Sequence, residues 1–139
     1  QYYSAIRALI AHYGLRTDRV IFTGAVSDEE LVIYYQHADV YISLSEHEGF
    51  CVPLVEAMAA DVPVLAYAST AVPDTLGGAG VQFAPKNLEF AAELLDRLIF
   101  DDEVRACVIA GQRRRLADFG DARITSLVTS RTPRPVRRS

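Results

Sequence analysis

The chain has 139 residues, half of them hydrophobic and 9% aromatic, with a formal net charge of −4. That size holds one domain with its own buried core, and the composition excludes an intrinsically disordered chain. The acidic balance argues against nucleic acid as a partner, two cysteines are too few for a disulfide scaffold, and no apolar run reaches bilayer-crossing length.

In chain order, Tyr2, Ile6, Leu9, Ile10 and Tyr13 recur at helical spacing, and Gly14 follows as a stop. Gln1 already lies inside this pattern, so the chain reads as the later part of a longer protein. Val20-Ile21-Phe22-Thr23 reads as a short strand ending at Gly24. Ser27-Asp28-Glu29-Glu30 is a capping box, with Glu30 three residues after Ser27, and predicts a helix to about His37. Val40 to Leu44 is the next strand, and its continuous apolar character suits burial on both faces of a parallel sheet.

A short helix follows from Pro53 to about Ala60, then a strand over Val62 to Tyr67 with Pro63 tolerated at its start. Ser69 to Gly80 is rich in turn residues and leads into a strand at Gly80-Val81-Gln82-Phe83. Phe90, Leu94, Leu95, Leu98 and Ile99 form the apolar stripe of a long helix. Another begins at Asp101-Asp102-Glu103, with Arg113-Arg114-Arg115 near its end, as the helix dipole prefers. Ala122 to Val128 adds a last short helix. Residues 1–128 are thus read as one partial domain, and 129–139 as a basic, proline-containing, disordered tail.

Strands alternating with helices predict an α/β fold, a Rossmann-like parallel sheet with helices on both faces. Ligands of such sheets bind beyond the carboxyl ends of the strands, where Ala25, Ser45 to Val52 and Ala68 to Asp74 would lie. One stretch there carries chemistry. From Ser45 to Met58 the chain leaves a strand, crosses a turn containing Glu48 and Gly49, and enters the Pro53 helix. Backbone N–H groups at a helix start favour a phosphate, and Glu48 and Glu56 bracket that anion site. A phosphate flanked by hydroxyl-binding carboxylates has the outline of a nucleotide-sugar.

At these residues the chain resembles the C-terminal, nucleotide-sugar-binding domain of a GT-B glycosyltransferase of family 4, the retaining glycosyltransferases group 1. The resemblance rests on an ordered series. Val20 to Ser27 is similar to the strand before the base pocket, and Ala38-Asp39-Val40 to the residues before a buried strand. Glu48-Gly49-Phe50 with Glu56-Ala57-Met58-Ala59 resembles the paired-glutamate signature; Pro63 to Ala66, Pro73-Asp74 and Gly78-Ala79-Gly80 follow. The match spans roughly Tyr2 to Arg115. Three positions depart from the pattern: Cys51 and Asp61 stand where glycine is common, and Asp74 where glutamate is common.

The resemblance implies roles. Glu48 would face the transferred sugar as the catalytic residue, accepting from its hydroxyls or stabilising charge at the anomeric carbon. Glu56 would accept from both ribose hydroxyls; otherwise it is a surface acid complementing the helix dipole in the first turn. Gly49, Phe50, Cys51 and Val52 would offer backbone N–H groups to sugar and phosphates, the Phe50 side chain being core. Val55 completes the substrate-binding set beside Glu56. Val26 would read the base edge through its backbone, or simply pack. Asp74 reads as an N-terminal helix cap.

Other features carry less. Glu46-His47-Glu48 chelates poorly, because neighbours on an extended loop point apart. His12 and His37 sit at helix ends. The Gly77-Gly78-Ala79-Gly80 run precedes a strand, so it is not a dinucleotide loop. Arg113 to Arg115 reads as a solvated helix face. Cys51 lies near a helix N-terminus that lowers thiol pKa values, but no His or Asn is spaced to make a thiol enzyme.

By resemblance, then, the chain belongs to a retaining hexosyltransferase that uses a UDP- or GDP-sugar and needs no metal or other cofactor. The leaving diphosphate would assist front-face attack by a glycan, lipid or small-molecule acceptor, held by an N-terminal domain upstream. An Arg and a Lys for the diphosphate would also lie upstream, so residues 1–139 alone are expected to transfer nothing. Two cysteines place the protein in a reducing cytoplasm, with peripheral association at the cytoplasmic membrane face allowed. The alternatives are a non-catalytic nucleotide-binding or interaction module, or a nucleotide-sugar epimerase of the same fold. A glycosidase is disfavoured, because its two carboxylates should flank the bond.

Overall fold

The computed structural model describes residues 2–47, 49 and 51–120. The expected helix at 122–128 and the tail 129–139 lie outside the described residues, as do Glu48 and Phe50.

Helix α1 (Tyr2–His12) ends where its periodicity predicts, and Gly14 takes φ +64°, a left-handed conformation open to glycine at little cost. A 3-10 turn at Thr17–Arg19 follows. Helix α2 (Asp28–His37) opens on the complete capping box: Glu30 N–H donates to Ser27 Oγ at 3.2 Å, and Ser27 N–H to the Glu30 carboxylate at 2.8 Å. Next come β1 (Tyr41–Ser43), α3 (Val52–Ala59), β2 (Val64–Tyr67), α4 (Val72–Leu76) and β3 (Val81–Phe83). Helices α5 (Leu88–Phe100) and α6 (Asp102–Leu116) close the described fold, capped by Asn87 and Asp101.

The three strands form one parallel sheet in the order β1-β2-β3, with Tyr41 opposite Val64 and Leu65 opposite Val81. Parallel neighbours need a crossover, and α3 and α4 supply the two. Strand β2 is central, and its alternating side chains sort the core. Val64 and Ala66 join Leu54, Met58 and Leu76 on one face, whereas Leu65 joins Phe83, Ala91 and Leu98 on the other. Helices therefore cover both faces, and the fold is the expected α/β, Rossmann-like class.

Three details differ from the sequence reading. Val20 to Thr23 form no strand, and Ile21 is 77% exposed. A strand exists only through a ladder partner, and none of the described strands lies beside this segment. Among the described residues β1 pairs with β2 alone, and Ile42, expected to be buried, is 43% exposed. Within the turn-rich stretch the chain makes α4, with Pro73 in its first turn and Gly77 closing it at φ +56°.

One tertiary clamp and one local turn join β2 to its helices. Pro63 has no N–H, its carbonyl accepts from Tyr41 N–H at 2.9 Å, and fully buried Gln112 on α6 satisfies the backbone on either side of it. Gln112 accepts from Val64 N–H at 2.8 Å and donates to Val62 O at 2.9 Å. Helix α3 ends in a Schellman motif: Val62 N–H donates to Ala57 O, and Asp61 N–H to Met58 O. Asp61 occupies its left-handed position at φ +55°, the position where glycine is common.

Candidate functional site

Helix α3 starts at Val52, with Cys51 as its cap residue and Pro53 second rather than first. Glu56 consequently lies one place beyond the first turn, which holds no acid. It is also not a surface residue, being 9% exposed. The surface, dipole-complementing reading of Glu56 therefore fails. A buried carboxylate needs donors, and the structure supplies a phenol: Tyr35 on α2 has its hydroxyl 3.5 Å from Glu56 Oε2 and 3.3 Å from Pro53 O. Burial first, and the Glu56 charge second, push the Tyr35 pKa up, so this group stays protonated as a donor.

Because the sheet is parallel, the segments after β1, β2 and β3 all emerge at one end, and side chains tie them together. Ser69, after β2, donates through Oγ to Ser45 O, after β1, at 2.7 Å. Lys86, after β3, pairs with Glu46 at 2.8 Å and sits 5.4 Å from the Tyr67 ring centroid. The Lys86 hydrogen bond, and then its charge, hold the Glu46 carboxyl below the usual carboxylate range. Ser45 and Glu46, where the chain leaves β1, are thus anchored by the segments that follow β2 and β3.

Of the predicted site residues, Gly49 is exposed, and a Cβ built there would meet no described atom within 4 Å. Val52 is exposed at the start of α3, whereas the Cys51 and Val55 side chains are buried in the core cluster. The side chains of those two residues therefore face the core. Val26 is half-buried on the unpaired segment that enters α2. Asp74 lies inside the first turn of α4, whose cap residue is Ala71, so it is not the cap. Among the described residues no group of three or more His, Cys, Asp or Glu is arranged to hold a metal ion. No described helix is long and apolar enough to cross a membrane.

Sequence reasoning missed Tyr35, Ser69 and Lys86. Tyr35 carried a faint signal, since it follows Leu31 by one helical repeat on the inward side of α2. Ser69 fell within the strand-end stretch Ala68 to Asp74 without being singled out, and nothing local marked Lys86.

The sequence profile described as "Glycosyl transferases group 1" matches residues 1–115. The chain belongs to the group 1 glycosyltransferases. Among its relatives, the serotype-specific mannosyltransferase WbdA of Escherichia coli is 29% identical over 97 residues, 70% of this chain and 12% of that protein. The MMP alpha-(1->4)-mannosyltransferase of Mycolicibacterium hassiacum is 35% identical over 80% of this chain and 28% of its own length. The 2-deoxystreptamine glucosyltransferase of Streptomyces kanamyceticus is 33% identical over 83% of this chain and 30% of its own. The chain thus spans less than a third of these group 1 relatives.

Proposed function

We propose that this chain is the donor-binding part of a retaining GT-B hexosyltransferase that takes its sugar from a UDP- or GDP-sugar. The observation that carries the reading is the buried Glu56 on α3, the helix that follows the anchored carboxyl end of β1. In this reading Glu56 accepts from the ribose hydroxyls. The amides from Gly49 to Val52, at the positive end of the α3 dipole, face the diphosphate and sugar. Glu48 serves the transferred sugar, and Val26 the base. Two mannosyltransferases and a glucosyltransferase among the relatives support a hexose as the group transferred.

The acceptor oxygen bonds to the anomeric carbon as that carbon's bond to the phosphate oxygen breaks; the nucleoside diphosphate leaves with the electron pair and takes up the acceptor's proton, so stabilising its developing charge lowers the barrier. Helix dipole and amides supply part of this, and the reading assigns no metal to it. The acceptor is a glycan, lipid or small molecule, and the protein works in the cytoplasm, with peripheral association at the membrane's cytoplasmic face allowed. Isothermal titration of the full-length protein against UDP and GDP, followed by sugar transfer with and without EDTA, tests the proposal. Binding of one nucleotide and transfer indifferent to EDTA support it. Binding of neither nucleotide refutes it.

A further inference from the structure

We propose that Tyr35 is a positioning residue for nucleotide binding: its hydroxyl sets the plane of the Glu56 carboxylate that meets the ribose. The inference rests on the ribose reading of Glu56. Its observations are geometric. The Tyr35 ring is locked, 6% exposed and packed in the main core cluster, with its centroid 6.0 Å from that of Tyr41. The neighbouring Tyr34 turns outward and is 49% exposed, so only one of the paired tyrosines reaches inward.

A ring held by packing fixes the place of its oxygen. That oxygen lies between two acceptors of the same helix, Pro53 O at 3.3 Å and Glu56 Oε2 at 3.5 Å. Glutamate has three side-chain torsions, and its last is broad, so a partner on one oxygen narrows the range of the carboxylate plane. Accepting from two adjacent hydroxyls needs that plane set correctly, because such bonds weaken steeply with angle. Tyr35 belongs to α2 and Glu56 to α3, so the contact also fixes how α2 seats against the start of the site. The neutral, protonated phenol described above keeps its role as a donor.

The test compares the full-length protein with Tyr35→Phe, Glu56→Ala and the double variant. Each is titrated with UDP and GDP and with their 2′,3′-dideoxy analogues. The readout is the ratio of dideoxy to ribose Kd for the nucleotide that binds. Being internal to one sample, it does not change if part of a variant is unfolded. In the parent the ratio should be roughly ten- to a hundredfold, as for hydrogen bonds to a charged group. Glu56→Ala should bring it close to one, and Tyr35→Phe should reduce it roughly three- to tenfold. The double variant should match Glu56→Ala. A ratio unchanged by Tyr35→Phe but abolished by Glu56→Ala would reduce Tyr35 to a packing residue and overturn the inference. So would a ratio lower in the double variant than in Glu56→Ala. A ratio that survives Glu56→Ala overturns the ribose reading itself.

Discussion

Arg113 grips Asp61 with two guanidinium nitrogens, at 3.0 and 2.8 Å, at the residue where α3 turns left-handed into β2. A left-handed residue other than glycine costs roughly 1–2 kcal/mol, and Asp tolerates the conformation better than most. The paired charge offsets part of that cost, which is how the chain keeps an acid where glycine is common. It also raises the Arg113 pKa.

Asp61→Ala should destabilise the protein by about 1–2 kcal/mol, because it keeps the backbone strain and loses the pair. Asp61→Gly should stay within about 1 kcal/mol of the parent, since relief of strain and loss of the pair oppose each other. Arg113→Ala should cost about 0.5–1 kcal/mol alone and nothing in the Asp61→Gly background. Urea unfolding of the parent, the three single variants and the double variant measures all four differences.

Gln112→Leu should be more damaging. It strands the Val62 carbonyl and the Val64 N–H at a position with no solvent access. Two unsatisfied buried groups cost about 2–5 kcal/mol together. A loss under about 1 kcal/mol by urea unfolding would mean that the backbone finds other partners.

The ribose assignment predicts that Glu56→Ala weakens nucleotide binding by about 1.5–3 kcal/mol. Glu48→Ala should depress turnover more than nucleotide affinity, because its partner is the sugar. Titration with UDP and GDP, and transfer kinetics, separate the two effects.

Lys86 and Glu46 give a prediction on the acid side. The depressed Glu46 carboxyl adds stability above the usual carboxylate pKa of about 4.3, and that contribution fades as pH falls through the lower folded value. Lys86→Met should return Glu46 toward 4.3, read by carboxyl NMR titration. An unchanged titration would mean that the ion pair does not form in solution.

Tyr35 predicts the opposite limb. Its raised pKa adds stability below the usual phenol value of about 10, lost as pH rises beyond it because the unfolded tyrosine ionises first. Between about pH 9 and 11, the unfolding free energy should fall less steeply in Tyr35→Phe than in the parent.

Patterns within a few residues were legible from the chain alone. The Ser27–Glu30 capping box, the stripe of α5 and the alternation of strands with helices each follow from contiguous residues and their periods. They suffice for the α/β class and for placing Ser45 to Glu56 at a strand end. Tertiary structure decided what depends on a distant partner. Val20 to Thr23 has the composition of a strand, yet pairing decides strands, and the described sheet leaves it out. Whether Glu56 is a ligand-binding or a surface acid stays open in the sequence until its burial, and Tyr35 from 21 residues earlier against it, exclude the surface reading. Gln112 and Arg113 look like polar helix positions until Val62 and Asp61, 50 and 52 residues earlier, are brought beneath them. Periodicity reports which face of an element is apolar, whereas the identity of the residue opposite emerges only when the chain is packed.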